Sequence, residues 1–167
     1  MKAIKRRFRP SSRILIRRAK PADAAIIARF NAAMGTETEG ILLDMRRLYR
    51  GVKAILSNPR KGFYLLAEVD RKIVGQMMIT REWSDWRNGH FWWIQSVYVL
   101  PAHRRRGVYR ALHESAVAHG RRKKDVCGIR LYVDHYNLSA QKVYKKLGMK
   151  RSNYDMFEQD FVLCRDE

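Results

Sequence analysis

The sequence is poor in acid. It carries 16 Asp and Glu against 35 Lys and Arg, a net charge of +19. A field of that size draws phosphates, nucleic acid or anionic surfaces, and equally describes a solvated basic surface. Cysteine is scarce, with Cys127 and Cys164 the only two. They make neither a disulfide framework nor a metal spacing, so a reducing cytoplasm is the expected setting. The five histidines are scattered and none forms a His-x-x-x-His pair beside a carboxylate, so no metal is assigned. Long apolar runs are missing too. None approaches the ~20 residues of a membrane helix, and Ile14-Leu15-Ile16 is far short of a signal-peptide core. No membrane partner is expected.

What is present fits one domain of 167 residues. Residues 1–11 read as a flexible basic tail and 12–167 as the domain. Residues 12–19 predict a first strand. Pro21 opens a helix that runs to Met34, GTETEG at 35–40 reads as a loop, and Ile41–Leu56 as a second amphipathic helix. Three strands follow: GFYLLAEVD, KIVGQMMITREWSDW and HFWWIQSVYVL. Asn88-Gly89 signals a two-residue hairpin between the last two. Then come a helix from Gly107 to about Arg122, a strand over Cys127–Val133, a helix over Asn137–Leu147 stopped by Gly148, and closing strands at Met149–Phe157 and Phe161–Leu163. The fold class is α/β (α+β): a single domain, with a mixed central sheet of about six to seven strands flanked by about four helices.

The segment PAHRRRGVYRAL, 101–112, puts a glycine where a strand gives way to a helix. The unpartnered N–H groups of a helix start, with the positive dipole end, suit an anion. Arg104, Arg105, Arg106 and Arg110 add guanidinium groups matched to phosphate. A second segment, LYVDHYNLSAQKVYKKLGM at 131–149, sets Asn137, Ala140 and Tyr144 on one helix face. Read alone, Tyr144 is a core aromatic.

Together, in this order and separation, the two segments resemble the GNAT superfamily of acetyl-CoA-dependent N-acetyltransferases. Its signature Gln/Arg-x-x-Gly-x-Gly/Ala is matched by Arg104-Arg105-Arg106-Gly107-Val108-Tyr109, and the resemblance spans about residues 12–157. It departs at Tyr109, where the family has Gly or Ala. The ring is expected to point away, leaving the backbone of residue 109 toward the ligand; the alternative is a chain that has lost cofactor binding.

The resemblance implies acetyl-CoA as co-substrate and direct attack by a primary amine in a ternary complex. It makes Tyr144 the acid that protonates the departing thiolate, and gives Asn137, Ala140 and Arg104–Arg110 to coenzyme A. Backbone N–H groups of Val97, Tyr98 and Val99 would hold the acyl oxygen where the central strand splays from its parallel neighbour. A base must also take the ammonium proton. The two-residue turn puts Glu82 opposite Gln95, on the face carrying Phe91, Trp93, Gln95 and Val97, and Asp85 on the other. The family's central-strand carboxylate aligns with Trp93, so Glu82 is the expected base. Glu37 and Glu39, in the loop between the first helices, are rivals. With Trp86 and Trp93 they are expected to line an acceptor pocket for a small-molecule or peptide amine. A homodimer is a common state for such domains. The alternative function is a non-enzymatic basic module binding nucleic acid or the ribosome, supported by the charge and by Arg121-Arg122-Lys123-Lys124.

Overall fold

A computed structural model describes residues 13–161, apart from the side chain of Glu39. The basic tail, Ser12, most of the Phe161–Leu163 segment and Cys164 lie outside the described residues. The chain divides into two compact units, one through Tyr132 and one from Val133 onward.

The first unit holds five strands in the order β1-β2-β3-β4-β5. β1 spans Leu15–Arg18, β2 Phe63–Val69, β3 Lys72–Ser84, β4 Gly89–Val99 and β5 Val126–Arg130. Neighbours pair antiparallel except β4 and β5, which are parallel and therefore need a crossover. Helix α3, Val108–Arg121, supplies it. Helices α1, Ala24–Met34, and α2, Met45–Ser57, connect β1 to β2.

Strand alternation sorts the core into two layers. Phe63, Leu65 and Ala67 of β2 face Trp92, Ile94 and the Val108-Leu112-Ala116 stripe of α3. Tyr64 and Leu66 face Ala24, Ile27, Ala28 and Val52 of α1 and α2. The sheet is thus covered on both faces, which explains why β2 is apolar at nearly every position.

Several expectations change. Residues 35–39 are not a loop: Gly35–Glu39 extends α1 with one wide helical turn. Thr36 and Thr38 hydroxyls donate back to the carbonyls of Ala32 and Met34, and Gly40, at φ 67°, ends the turn. Helix α2 starts later than predicted, because the Asp44 carboxylate caps it by accepting from Arg46 N–H at 2.8 Å. Asn88-Gly89 is not a two-residue turn. Asp85–Arg87 form a short 3-10 turn, Asn88 is left-handed, and Gly89 is already in β4 opposite Ser84. A Cβ on Gly89 would stand 3.2 Å from the Asp125 carbonyl oxygen, so the glycine serves close approach to β5.

In the second unit, α4 covers Leu138–Lys146. Asn137 caps its start and Gly148, at φ 85°, ends it, with Met149 N–H bonded to Tyr144 O and Gly148 N–H to Lys145 O. That is the paired bonding of a glycine-terminated helix. No strand follows among the described residues, against the expectation for Met149–Phe157. Residues 150–157 are exposed and have no ladder partner, and their charged and Asn/Ser positions break the alternation a half-buried strand needs. Among the described residues the sheet therefore counts five strands, against the six to seven expected.

Candidate active site

The site starts from an irregularity in β4. Pairing with β3 jumps from Gln76↔Tyr98 to Met78↔Gln95, so β4 carries one extra residue. Ser96 takes up the strain at φ 46°, as a bulge does. The consequence follows by counting. Near the start of β4 the His90 N–H points toward the β5 side, bonded to Asp125 O at 2.7 Å. Past the bulge the Leu100 N–H points the other way, to Val74 O at 2.9 Å. Alternation back from Leu100 turns the N–H groups of Val97 and Val99 to the β5 side and that of Tyr98 to β3. Parallel pairing with β5 ends at Trp93↔Arg130. Among the described strands none pairs with β4 on that side past Trp93, so Val97 and Val99 present donors along an unpaired edge, while Tyr98 does not.

The bulge also corrects the face assignment. Val97 and Val99 pack with Trp92 and Ile94, so Val97 does not share the face of Trp93 and Gln95. Tyr98 takes that place, its ring 5.2 Å from Phe30 of α1.

Beyond β4, Gly107 sits at φ 84° ahead of α3, with nothing within 4 Å of where a Cβ would stand. Ala111 N–H bonds Gly107 O at 3.0 Å. The N–H groups of Val108, Tyr109 and Arg110 therefore precede the helix's own bonding pattern. Tyr109 turns its ring onto the core, 6.0 Å from His113. Arg105, Arg106 and Arg110 are exposed. Arg104 is engaged: Nε donates to the Val99 carbonyl oxygen at 2.8 Å and Nη2 to Glu37. Glu37 also accepts from the Tyr98 hydroxyl at 2.7 Å. The Arg104 and Tyr98 hydrogen bonds hold the Glu37 carboxyl below the usual carboxylate range, whereas burial and Glu37 push the Tyr98 phenol up.

Glu82 does not oppose Gln95. It opposes Phe91, because the turn is 85–88, centred two residues earlier than the expected 88–89, which moves every partner by four. The shift is even, so Glu82 keeps the Trp93 face. Trp93 Nε1–H donates to one Glu82 oxygen, and Arg130 Nη1 to the other at 2.9 Å. Asp85 leaves the strand and accepts from Trp86 N–H at 2.8 Å. Trp86 itself is 86% exposed in the turn. Among the described side chains, Glu37, Glu82 and Trp86 do not meet. Glu37 meets Tyr98 and Glu82 meets Trp93, five residues apart on β4 and so roughly 15 Å apart along the strand. The side chain of Glu39 lies outside the described ones. Arg130, the Tyr98 hydroxyl and the Ser96 bulge had no signal in the sequence.

In the second unit, Asn137 Oδ1 accepts from Ala140 N–H at 3.0 Å, so this side chain holds its own helix start. Burial pushes the Tyr144 phenol up from its ordinary value. Among the described residues no group of three His, Cys, Asp or Glu is gathered closely enough to hold a metal ion, and no helix is long and apolar enough to cross a membrane.

Residues 30–149 match the model of the acetyltransferase (GNAT) family. A possible acetyltransferase from Clostridium difficile 630 is 43% identical, with a TM-score of 0.83, covering 90% of this chain and 99% of its own. An aminoglycoside N-acetyltransferase solved in complex with CoA is 17% identical, with a TM-score of 0.73 over 92% of this chain and 98% of its own. A predicted acetyltransferase with acetyl-CoA from Clostridium acetobutylicum is 18% identical, with a TM-score of 0.72 over 88% and 96%. Among curated proteins no sequence match was found. The chain belongs to the GNAT acetyltransferase family, and is an acyltransferase of that class.

Proposed function

We propose that this enzyme moves the acetyl group of acetyl-CoA to a primary amine by direct attack within a ternary complex. The observation that carries the reading is the open edge of β4 at Val97 and Val99, with the glycine-led start of α3 following in the same unit. Acetyl-CoA supplies an activated thioester. The residues present fit it. The N–H groups of Val108, Tyr109 and Arg110, with Arg105, Arg106 and Arg110, offer a cradle for pyrophosphate, and Gly107 leaves its approach clear. The core-facing ring of Tyr109 removes the steric objection to its place in the signature. Val97 and Val99 N–H groups polarise the acyl carbonyl, where fixed donors favour the charge that develops on oxygen. Tyr98 contributes its side chain rather than its N–H.

The amine nitrogen bonds to the acyl carbon as the carbon–sulfur bond breaks. Tyr144 gives its proton to the leaving sulfur. A phenol holds its proton at neutral pH at its ordinary value, and burial only pushes it further up. Glu82 is the base candidate on the Trp93 face, while the Arg104 and Tyr98 hydrogen bonds hold the Glu37 carboxyl low and make it the weaker base. Trp93 beside Glu82 offers an aromatic face to a cationic amine. Asn137 and Ala140 shape the start of α4 that precedes Tyr144.

The full chain should release free thiol from acetyl-CoA only when a polyamine, aminoglycoside, amino acid or basic peptide accepts the acetyl group. Micromolar acetyl-CoA should raise its melting temperature. Neither effect across a broad panel would overturn the reading. One observation favours the second reading, a basic nucleic-acid module. Arg46, Arg47, Arg50 and Lys53 stand exposed along α2. Binding to RNA or DNA that falls steeply with salt, with no acetyl-CoA effect, would select it.

A further inference from the structure

A buried polar chain crosses the core beside the kink in β4. Gln76 on β3 is 0% exposed, Tyr64 on β2 2% and Asn31 on α1 7%. Gln76 Nε2 donates to Asn31 Oδ1 at 2.6 Å and to the Ser96 carbonyl oxygen at 3.3 Å. Asn31 Nδ2 donates onward to the Tyr64 hydroxyl oxygen at 3.2 Å. The chain runs from Tyr64 on β2 through Asn31 on α1 to Gln76 on β3 and ends on the backbone of one residue, Ser96, the left-handed one at φ 46°.

Such a network is a poor choice for stability alone. Gln76 Oε1 is buried with no hydrogen-bond partner, and an orphaned buried acceptor costs free energy that an apolar side chain of the same size avoids. A serine at positive φ is also held against its own preference. What the network secures is the position of the bulge. Gln76 is the cross-strand partner of Tyr98, at the point where β4 changes register. Slipping the extra residue along β4 would return the Val97 and Val99 N–H groups toward β3.

Resting on the acetyltransferase reading, we propose that Gln76, supported by Asn31 and Tyr64, is a positioning residue: it locks Ser96 in its left-handed conformation and so aims the Val97 and Val99 N–H groups at the acyl oxygen. None of the three touches the reacting atoms. They act through the backbone of Ser96.

The test is a rescue. Gln76→Met keeps the volume and removes both donors. With chemistry limiting, it should lower kcat at least tenfold while the KM for acetyl-CoA stays within twofold. Tyr64→Phe, which deletes one hydroxyl, should act in the same direction more weakly, and serves if Gln76→Met does not fold. Adding Ser96→Gly should restore most of the lost kcat, because glycine adopts positive φ without a lock. A second readout needs no ligand. The three-bond HN–Hα coupling of Ser96 and the amide shifts of Val97 and Val99 should move in Gln76→Met and Tyr64→Phe; in Gln76→Met/Ser96→Gly the Val97 and Val99 amide shifts should return. If those signals do not move, or if glycine fails to rescue a folded double variant that binds acetyl-CoA, the positioning role is wrong. If the wild-type protein neither binds acetyl-CoA nor turns over, the acetyltransferase reading fails instead, and the coupling data still decide what Gln76 does to Ser96.

Discussion

Glu37 and Arg104 meet across 67 residues of sequence. One belongs to the turn that ends α1, the other opens the arginine-glycine signature before α3. The contact joins the turn that ends α1 and the arginine-glycine signature in one hydrogen-bonded group, with the Tyr98 hydroxyl as third member. Arg104 is therefore not a spare cation in the free protein. A pyrophosphate that recruits it must displace or share it with a carboxylate. Glu37→Gln keeps the shape and removes the competing charge. It should tighten CoA binding about fivefold, the scale of an exposed ion pair, as measured by titration calorimetry at low salt. Weaker binding would mean that Glu37 holds Arg104 in position for the ligand.

Asp23 ties the entry of α1 to the sheet. Its carboxylate oxygens accept from Arg17 Nη1 and Nη2 at 2.7 and 2.9 Å, and Arg17 Nε donates to Glu68 at 2.6 Å. The Arg17 hydrogen bonds hold the Asp23 carboxyl below its ordinary range. The group binds fewer protons folded than unfolded. Its stabilisation is complete above the ordinary carboxylate pKa and fades as pH falls through the lowered folded value. Asp23→Asn should cost about 2 kcal/mol at neutral pH. It should also flatten the loss of stability on acidification, followed by urea unfolding between pH 7 and the acid limb.

Tyr144→Phe isolates proton delivery to sulfur. A thiol titrates near ~8.5, so the thiolate leaves tolerably without help. The loss in kcat should be about tenfold to a hundredfold, at or below the low end for general acids, with acetyl-CoA affinity within twofold. Single-turnover kinetics check that chemistry is limiting. An unchanged chemical step would remove Tyr144 from the mechanism.

How much of this was legible in the sequence depends on the range of the interaction that decides it. Apolar runs located β1–β5 within a few residues, because both sheet faces are covered. Gly107 and Gly148 were legible as punctuation, since positive φ is a local demand. The turn at 85–88 was not, because Gly89 answers to β5 rather than to the hairpin. Glu82 reached the Trp93 face through a wrong partner, since an error of four residues preserves parity. Val97 went to the wrong face for the complementary reason: a single extra residue at Ser96 inverts parity. The bulge is held by Gln76, Asn31 and Tyr64 from three other elements, a contact no local pattern encodes. Gln76 did interrupt the apolar run IVGQMMI, the one mark a sequence could show.

Gly107→Ala separates backbone strain from ligand approach. Nothing stands within 4 Å of the added methyl, so the fold's penalty is that of a left-handed alanine at φ 84°, about 1 kcal/mol. The melting temperature should drop by a few degrees. If the phosphate approaches this backbone, the Kd for CoA should rise by more than tenfold, well beyond what the small strain explains. An affinity that changes only in step with stability would move the pyrophosphate elsewhere.

Glu82→Gln tests the proton acceptor. Glu82 is anchored at both oxygens, by Trp93 and Arg130, yet its side chain is 41% exposed. Each carboxylate oxygen has a second lone pair for an incoming ammonium or a bridging water. Glutamine keeps the volume and one acceptor but cannot take a proton. With a primary amine substrate, kcat/KM near neutral pH should fall about a hundredfold. The deficit should shrink as pH climbs toward the acceptor's own pKa, near ~10 for an alkyl amine, because solvent then supplies the free base. An alkaline pH–rate profile with unaltered shape and height would exclude Glu82 and pass the role to Glu37, Glu39 or a water chain.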